Sequence, residues 1–181
     1  MDTIGFVELS SIASGMEIAD AMLKTANIDL IFAKASCPGK YYVLVNGQVA
    51  NVQKAIKVGS DIAGGFLVSS LVLPRIHPKV IAAINMSGAI PDKIEAIGII
   101  EFFSVTSSII AADTAVKASQ VELIDVRLGT GIGGKSFVVV SGDTSSVKTA
   151  VEAATSLKDD GMLVNKVVIS KPDKKLLSNL F

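Results

Sequence analysis

Apolar and polar positions alternate along this chain with two different periods, which together predict an α+β fold. Short runs of β-branched and aromatic residues that end in turn residues are typical of strands, and apolar positions three or four apart are typical of helices. The runs predict strands over 4–9, 29–33, 41–46 and 67–73, with a second helix over 49–63. The first helix carries an apolar stripe that consists of Ile12, Met16, Ala19 and Leu23. The predicted order is strand, helix, two strands, helix and strand.

The same series of elements occurs a second time. Ile4-Gly-Phe-Val-Glu8 returns as Ile97-Gly-Ile-Ile-Glu101, and after two additional residues in the second copy Gly39-Lys40 matches Gly134-Lys135. The second copy has predicted strands over 97–102, 122–127, 136–141 and 162–169, and its second helix over 144–157. Self-similarity of this kind indicates a duplicated structural unit. We therefore predict two homologous domains, 1–88 and 96–181, each a small antiparallel sheet with helices packed on it. Glycine and proline cluster at about 85–95, which is the predicted linker.

Composition narrows the classes of function. The 181 residues have a formal net charge of zero, so no basic or acidic excess indicates nucleic acid or a membrane surface as a partner. The N-terminus lacks the features of a signal peptide, and no apolar run is long enough to span a membrane. A single cysteine excludes an intrachain disulfide and fits a reducing cytoplasm. Half of the residues are hydrophobic and the mean hydropathy is +0.55, which favours a surface that is largely buried in partners.

One segment matches a nucleotide-binding motif. The letters GTGIGGKS at 129–136 satisfy the P-loop pattern, which would make the chain a small nucleotide-binding enzyme. A P-loop needs a helix after its glycines, so that backbone N–H groups converge on the phosphates. Here the glycines are followed by FVVVSGD, a predicted strand, and the first copy of the loop, ASCPGKYY, lacks the pattern. The nucleotide-binding enzyme remains the alternative to a structural function.

No other set of residues supports catalysis. His77 is the only histidine, and its position beside Pro78 favours a surface residue. A Ser-His-Asp catalytic triad could be built only on this one histidine. No pair of cysteine or histidine residues has the spacing of a zinc site. The chain is therefore predicted not to be an enzyme.

Several segments, in the right order, carry a resemblance to a known family. Ile4–Glu8, Ala19–Lys24, Lys34–Lys40 and Leu73–His77 resemble the bacterial microcompartment shell domain, and the resemblance covers nearly all of the chain twice. Two such domains in unpermuted order resemble the tandem-domain trimeric shell proteins, and among these the propanediol-utilisation type that carries an iron–sulfur cluster. The resemblance implies a homotrimer that forms a pseudohexagonal tile with a central pore. It also implies other shell proteins as edge-to-edge partners, encapsulated redox enzymes as further partners, and a place in the shell of a cytoplasmic compartment.

The resemblance also assigns residues to two regions of the tile. Lys24 and its counterpart Lys117 are expected at the tile edge, with Arg75 and its counterpart Lys171. A lysine cannot reproduce the planar fork of arginine, so the edge contact of Lys171 is expected to be weaker. The strand–strand loops are expected to surround the pore, where glycine suits a crowded backbone because it has no Cβ. These pore residues are Ser36, Cys37, Pro38, Gly39, Gly131, Ile132, Gly133 and Gly134.

Cys37 is the candidate metal ligand. Threefold symmetry would bring three Cys37 thiols, one per subunit, to the pore, where they are expected to hold three irons of a shared [4Fe–4S] cluster. Such clusters usually have four cysteine ligands. The resemblance implies additional cysteines in the segment matching Thr106–Ile110, which here reads TSSII. The sequence leaves open whether Cys37 holds a cluster or only lines the pore.

Overall fold

The chain forms two α+β units in a computed structural model that describes residues 3–85, 88, 91, 93–156 and 162–180, with backbone alone at 178–180. The first unit comprises Met1–Ile76 together with Thr130–Gly134. The second comprises His77–Gly129 and Lys135–Phe181. None of the helices in the described residues has the length and apolar character needed to cross a membrane.

The first unit contains one antiparallel sheet of four strands and two long helices. Its elements are β1 (Thr3–Leu9), α1 (Ile12–Thr25), β2 (Asp29–Ser36), β3 (Lys40–Gly47), α2 (Val49–Ala63) and β4 (Leu67–Leu73), with a 3₁₀ turn at Gly64–Phe66. The strands lie in the order β2-β3-β1-β4, so the first strand of the chain is central. The short β2–β3 connection places the loop 37–39 at one end of the sheet.

The second unit repeats this architecture. Its elements are α3 (Pro78–Ile84), β5 (Ala96–Phe102), α4 (Val105–Ala118), β6 (Glu122–Leu128), β7 (Ser136–Gly142), α5 (Thr144–Thr155), β8 (Leu163–Ser170) and α6 (Lys174–Leu180). The strand order β6-β7-β5-β8 corresponds to that of the first sheet.

The strand registers confirm the duplication that the sequence predicts. Ile4 pairs with Leu73, and Ile97 pairs with Ile169 at the same place in the second sheet. Each outer strand has an irregularity at the same point, at 30–32 in β2 and at 123–125 in β6. The predicted α+β fold is therefore confirmed, and residues that occupy the same place in the two copies are called matching residues below.

Two short helices are missing from the sequence prediction. Both follow the last strand of a copy, and in both the residue before the helix acts as the N-terminal cap. His77 Nδ1 accepts from Lys79 N–H at 3.2 Å, and the matching Asp173 Oδ1 accepts from Lys175 N–H at 2.7 Å. Because α3 packs against β6 and α4, the structure groups residues from His77 onward with the second unit. The predicted linker lies partly outside the described residues, so the domain limits 1–88 and 96–181 stay predictions.

In the first unit, α1 and α2 cover one face of the sheet. The buried residues of this core include Val7, Leu9, Ile18, Met22, Tyr41, Val43, Val45, Val52 and Ile56. The predicted apolar stripe of α1 is only partly the buried face: Ala19 is buried, but Ile12, Met16 and Leu23 are 38%, 57% and 37% exposed. The buried face is instead Gly15, Ile18, Ala19 and Met22. Adjacent faces of one helix share the same period, so periodicity does not identify which of them meets the sheet.

Close approach of α1 to the sheet explains that choice. A Cβ on Gly15 would lie 2.5 Å from three atoms of Tyr41, so the tyrosine ring occupies the space of a side chain. In the second unit the matching residues are Ser108 and Ser136, whose hydroxyl groups form a 2.6 Å hydrogen bond. The Ser136 hydroxyl also donates to the carbonyl of Ser104 at 2.7 Å. The same helix–strand contact is thus made by a glycine and a large ring in one copy and by two small hydroxyl residues in the other.

We predict that Gly15→Ala destabilises the protein, because its methyl group overlaps the Tyr41 ring and backbone must move. Overpacking of this kind costs about 1–3 kcal/mol. The measurement is urea unfolding followed by circular dichroism. Gly65→Ala is the control, because its Cβ meets nothing within 4 Å. Equal unfolding midpoints for the two variants would show that α1 does not approach the sheet this closely.

Candidate functional site

The residues predicted to line a pore lie in two loops of the first unit. The loop between β2 and β3 presents Cys37 as an exposed thiol. The second-copy loop, Thr130–Gly134, lies beside it, with the hydroxyl oxygens of Ser36 and Thr130 3.5 Å apart. The structure therefore brings the two predicted groups of pore residues together.

Backbone conformation explains the glycines of these loops. The φ angles of Gly39, Gly131, Gly133 and Gly134 lie between 65° and 81°, the left-handed region that other residues rarely adopt. At Gly134 space is restricted as well, because an added Cβ would lie 3.0 Å from Pro38 Cδ and 3.3 Å from the Cys37 carbonyl oxygen. Gly134 is therefore the point at which one loop packs against the other.

The lysine of the P-loop pattern has a structural partner. Lys135 Nζ donates to Glu101 Oε1 at 2.9 Å, and its matching residue Lys40 pairs with Glu8 in the first copy. The Glu8 side chain is only 4% exposed and also accepts from the Ser69 hydroxyl at 2.9 Å. A buried carboxylate requires such partners, because an uncompensated buried charge is strongly destabilising. The glycines are followed by β7 and not by a helix, so the nucleotide-binding alternative is not supported.

A phenol lies beside the first of these acids. Tyr42 pairs with Glu8 across β3 and β1, and it is fully buried. Burial is the main cause that raises the pKa of Tyr42, and the Glu8 carboxylate raises it further. The matching residue Phe137 has no hydroxyl group, so this electrostatic effect of an acid on a phenol occurs in the first copy alone.

The two predicted edge lysines differ in their surroundings. Lys24 pairs with Asp20 on the surface of α1, with side chains that are 74% and 60% exposed. The matching Lys117 pairs with Asp113, whose side chain is 7% exposed. Asp113 also accepts the backbone N–H of His77 at 2.8 Å. The matching acids therefore have different roles. Asp20 lies on the surface, and Asp113 holds the backbone at the start of α3.

Arg75 and Lys171 share an unusual backbone conformation. Their φ angles are 55° and 53°, and they are the non-glycine residues with positive φ in the described chain. Each follows the last strand of its copy, where the backbone turns toward the next helix. Left-handed conformation costs a non-glycine residue about 1–2 kcal/mol, so the same turn is retained in both copies despite its cost. His77, which the sequence suggests is a surface residue, caps the helix that follows this turn.

Parts of an apolar surface that are buried in the first unit are accessible in the second. In the second unit a groove of about 360 Å³ is lined by Ile97, Ile99, Phe137, Val139, Ile169 and Leu176, together with Glu101, Asp125 and Arg127. Ile99 and Phe137 are half-buried, whereas the matching Phe6 and Tyr42 are completely buried; Ile97 and Val139 are buried like their counterparts Ile4 and Leu44. On the helices the relation is reversed: Ile12 and Met16 of α1 are exposed, but the matching Val105 and Ile109 of α4 are buried.

No group of three histidine, cysteine, aspartate or glutamate side chains is clustered as a metal site within the described residues. Cys37 is thus not part of a group of three such side chains among the residues that the structure describes.

Comparison with known proteins agrees with this internal duplication. A family model for the BMC domain matches the chain twice, over residues 3–76 and 96–172. The chain belongs to the BMC-domain family. Each match contains the four strands and two long helices of one copy, and both matches leave the short helices α3 and α6 outside.

Relatives of this BMC-domain chain match it over most of its length. It is 49% identical to the bacterial microcompartment shell protein PduT of Citrobacter freundii, over 96% of this chain and 94% of that protein. It is 28% identical to the carboxysome assembly protein CcmO of Synechococcus elongatus, over 98% of this chain and 68% of that protein. The crystal structure of a microcompartment protein from Desulfitobacterium hafniense has a TM-score of 0.91 and 49% identity, covering 98% of this chain and 99% of that chain.

These similarities decide between the two classes of function that the sequence leaves open. The chain is a tandem BMC-domain shell protein of a bacterial microcompartment and not an enzyme. The loops and the open faces are therefore features of a structural component, and the P-loop pattern is accidental.

We predict that Gly134→Ala disturbs the loop around Cys37 more than Gly131→Ala does. Both variants place a methyl group at positive φ, at a cost of about 1–2 kcal/mol, but only Gly134→Ala also presses on Pro38 and on the Cys37 carbonyl. The measurement is the rate at which Cys37 reacts with a thiol reagent. Gly134→Ala is expected to change this rate and Gly131→Ala to leave it near the wild-type value; the reverse order would contradict the loop contact.

Proposed function

We propose that three copies of the chain form a pseudohexagonal tile with a pore on its axis, surrounded by the glycine-containing loops. The observation that carries this proposal is the unequal burial of matching surfaces. Three chains with two units each supply six similar units, and closed rings are the usual form of homo-oligomers built from head-to-tail contacts. In such a ring each open surface of one chain has a neighbour with the matching shape.

The energetics of the open surfaces support association. The groove on the second sheet and the exposed stripe on α1 place several large apolar side chains in water. Burial of apolar surface contributes about 25 cal/mol per Å², so covering these side chains favours assembly. The high hydropathy and zero net charge of the chain agree with a surface that is largely covered by other copies.

The loops fit the lining of a pore for small polar metabolites. Cys37, Pro38 and Gly39 are exposed at the end of the first sheet, as are Gly131 and Gly133 of the second-copy loop, which contacts the first loop at Gly134. Glycine backbones approach an axis closely because they have no Cβ, and the exposed Thr130 adds a polar hydroxyl group, with the buried Ser36 hydroxyl 3.5 Å behind it. We assign the lining of the pore to Ser36, Cys37, Pro38, Gly39, Gly131, Ile132, Gly133 and Gly134.

The edge of the proposed tile contacts other shell proteins. Lys24 is the most suitable edge residue, because its side chain is largely exposed beyond its pair with Asp20. Arg75 and Lys171 lie in the matching turns that follow the last strands of the two copies. Lys117 is the fourth proposed edge residue, at a less exposed position. The guanidinium group of Arg75 provides bidentate contacts that the ammonium of Lys171 cannot, so the two edges are unequal.

A [4Fe–4S] cluster shared by three Cys37 thiols extends this proposal. The thiol is exposed in its own chain, and the described residues around it form no ligand cluster, so an axis that joins three chains is what would complete the ligand set. Three thiolates are one fewer than the usual four, which leaves one iron to water or another ligand. When bound, the cluster supplies one-electron transfer, and redox enzymes enclosed by the shell are its expected partners. Ser108, in the segment where the resemblance implies further cysteines, is buried and hydrogen-bonded to Ser136.

Analytical ultracentrifugation tests the tile. We predict that the wild-type chain sediments as a trimer and forms sheets at higher concentration, visible by electron microscopy. Lys24→Ala is expected to reduce sheet formation and to leave the trimer intact, because Lys24 is assigned to contacts between tiles. Lys57→Ala is the control, since it removes a similar exposed lysine paired with an aspartate four residues away. A monodisperse wild-type monomer would contradict the proposal.

Anaerobic reconstitution tests the cluster. We predict that wild-type protein incubated with iron and sulfide gives an EPR signal after reduction, and that Cys37→Ser gives none because the thiolate ligands are lost. Ser36→Ala, which keeps the thiol and removes the neighbouring hydroxyl group, is expected to retain the signal. If the wild-type trimer takes up no iron, the redox role is wrong and Cys37 only lines the pore.

A further inference from the structure

The two short helices match in sequence position and in capping but not in packing. Helix α3 packs against β6, and its residue Val80 is completely buried. The matching residue of α6, Leu176, is 42% exposed. Among the described helices and strands, α6 has no packing partner comparable to β6. Leu176 lines the groove on the second sheet, but α6 makes no contact with an outer strand comparable to that of α3 with β6 among the described residues.

A charged contact anchors α3 to β6. Lys79 Nζ donates to Glu122 Oε1 at 2.8 Å and to the backbone carbonyl of Val121 at 3.2 Å. These atoms lie where β6 begins, and the ion pair is about 40% exposed at both ends, with side-chain values of 41% and 42%. The contact thus combines a charge pair with a carbonyl acceptor at a fixed place on the outer strand.

The first copy has the same acceptors on its outer strand. The residues that match Val121 and Glu122 are Ile28 and Asp29, and the residue that matches Lys79 is Lys175. The signs of charge are retained, with an acid at the start of the strand and a lysine in the first turn of the short helix. Asp29 and Lys175 are both exposed in the single chain. Farther along the strands, Leu30 of β2 is 44% exposed, but the matching Leu123 of β6 is 2% exposed.

Two polar grooves, one in each unit, are also lined by matching residues. In the second unit a groove of about 680 Å³ has Lys79, Gln120, Glu122, Ser141, Gly142 and Asp143 in its lining. In the first unit a groove of about 280 Å³ is lined by the matching Asn27, Asp29, Asn46, Gly47 and Gln48, together with Asn51. The counterpart of Lys79 is absent from that lining. The groove of the first unit is therefore incomplete within one chain.

We infer that α6 of one chain docks on β2 of a second copy of the chain, with the Lys175 ammonium bound to the Asp29 carboxylate and to the Ile28 carbonyl. The inference rests on the proposed assembly and specifies the contact that closes it. The second copy is the fitting occupant because the α3–β6 contact already shows this helix, strand and charge pair together. The contact joins different surfaces of the two chains, so it is head-to-tail and forms a ring when it closes.

Charge exchange tests the contact in the full-length chain. Lys175→Glu and Asp29→Lys each place like charges together, and each is expected to weaken association at least about tenfold in sedimentation equilibrium at low salt. The double variant, with both changes in one chain, restores opposite charges at every interface and is expected to recover most of the affinity. Lys174→Glu is the matched control, since it makes the same charge change at the adjacent exposed position on α6.

Mixing the two single variants tests the size of the ring. Contacts between unlike chains have opposite charges in both directions, but a ring of three cannot alternate two kinds of chain. The mixture is therefore expected to recover less affinity than the double variant. Full recovery in rings of even number would support the docking contact and overturn the trimer.

The remaining outcomes separate the inference from the proposed function. If wild-type protein is a trimer and Lys175→Glu behaves like Lys174→Glu, the inference is wrong and the tile stands. If each single change dissociates the trimer and the double variant does not recover, the pairing of Lys175 with Asp29 is wrong. A wild-type monomer overturns both.

Discussion

Burial of apolar surface is the constraint on which the rest of this structure depends, and each copy of the repeat satisfies it only in part. Within the first unit the long helices cover one face of the sheet and exclude water from a continuous core. The remaining apolar surfaces are buried at some positions in one copy and open at the matching positions in the other. Repeated units of this kind are completed by neighbours, because a single unit cannot cover both of its faces.

At the contact between the first helix and the sheet, the two copies keep the same geometry with side chains of different size. Gly15 and Tyr41 fill the contact that Ser108 and Ser136 fill in the second copy. A close-packed interior constrains the combined volume of a contact more tightly than the identity of either partner. The helix can thus remain at a similar place on the sheet while its side chains change.

Two charged pairs at the ends of the loops are retained in both copies. The pairs Lys40–Glu8 and Lys135–Glu101 connect the end of each loop to the first strand of its copy. Removing one partner of the largely buried Lys40–Glu8 pair would leave an uncompensated charge, whereas an apolar contact tolerates gradual repacking. The Lys135–Glu101 pair is more exposed, but it gives the lysine of the P-loop pattern the same structural partner in the second copy. The retention of these pairs also gives weight to the lysine and acid that match Lys79 and Glu122 at the chain's open surfaces.

The sequence by itself determined the duplication, the α+β class and most elements, because these follow from local periodicity and from comparing the chain with itself. Helix Val49–Ala63 and strand Leu67–Leu73 agree with their predicted limits. Helices α3 and α6 escaped prediction because seven residues are too few for a clear period, so capping and docking decide their state. The buried face of α1 was settled only by the fit of Gly15 against Tyr41. Lys135 likewise acquired its role from Glu101, which lies 34 residues away in sequence. These features depend on residues that only the folded chain brings together, and no local pattern records which distant partners will meet.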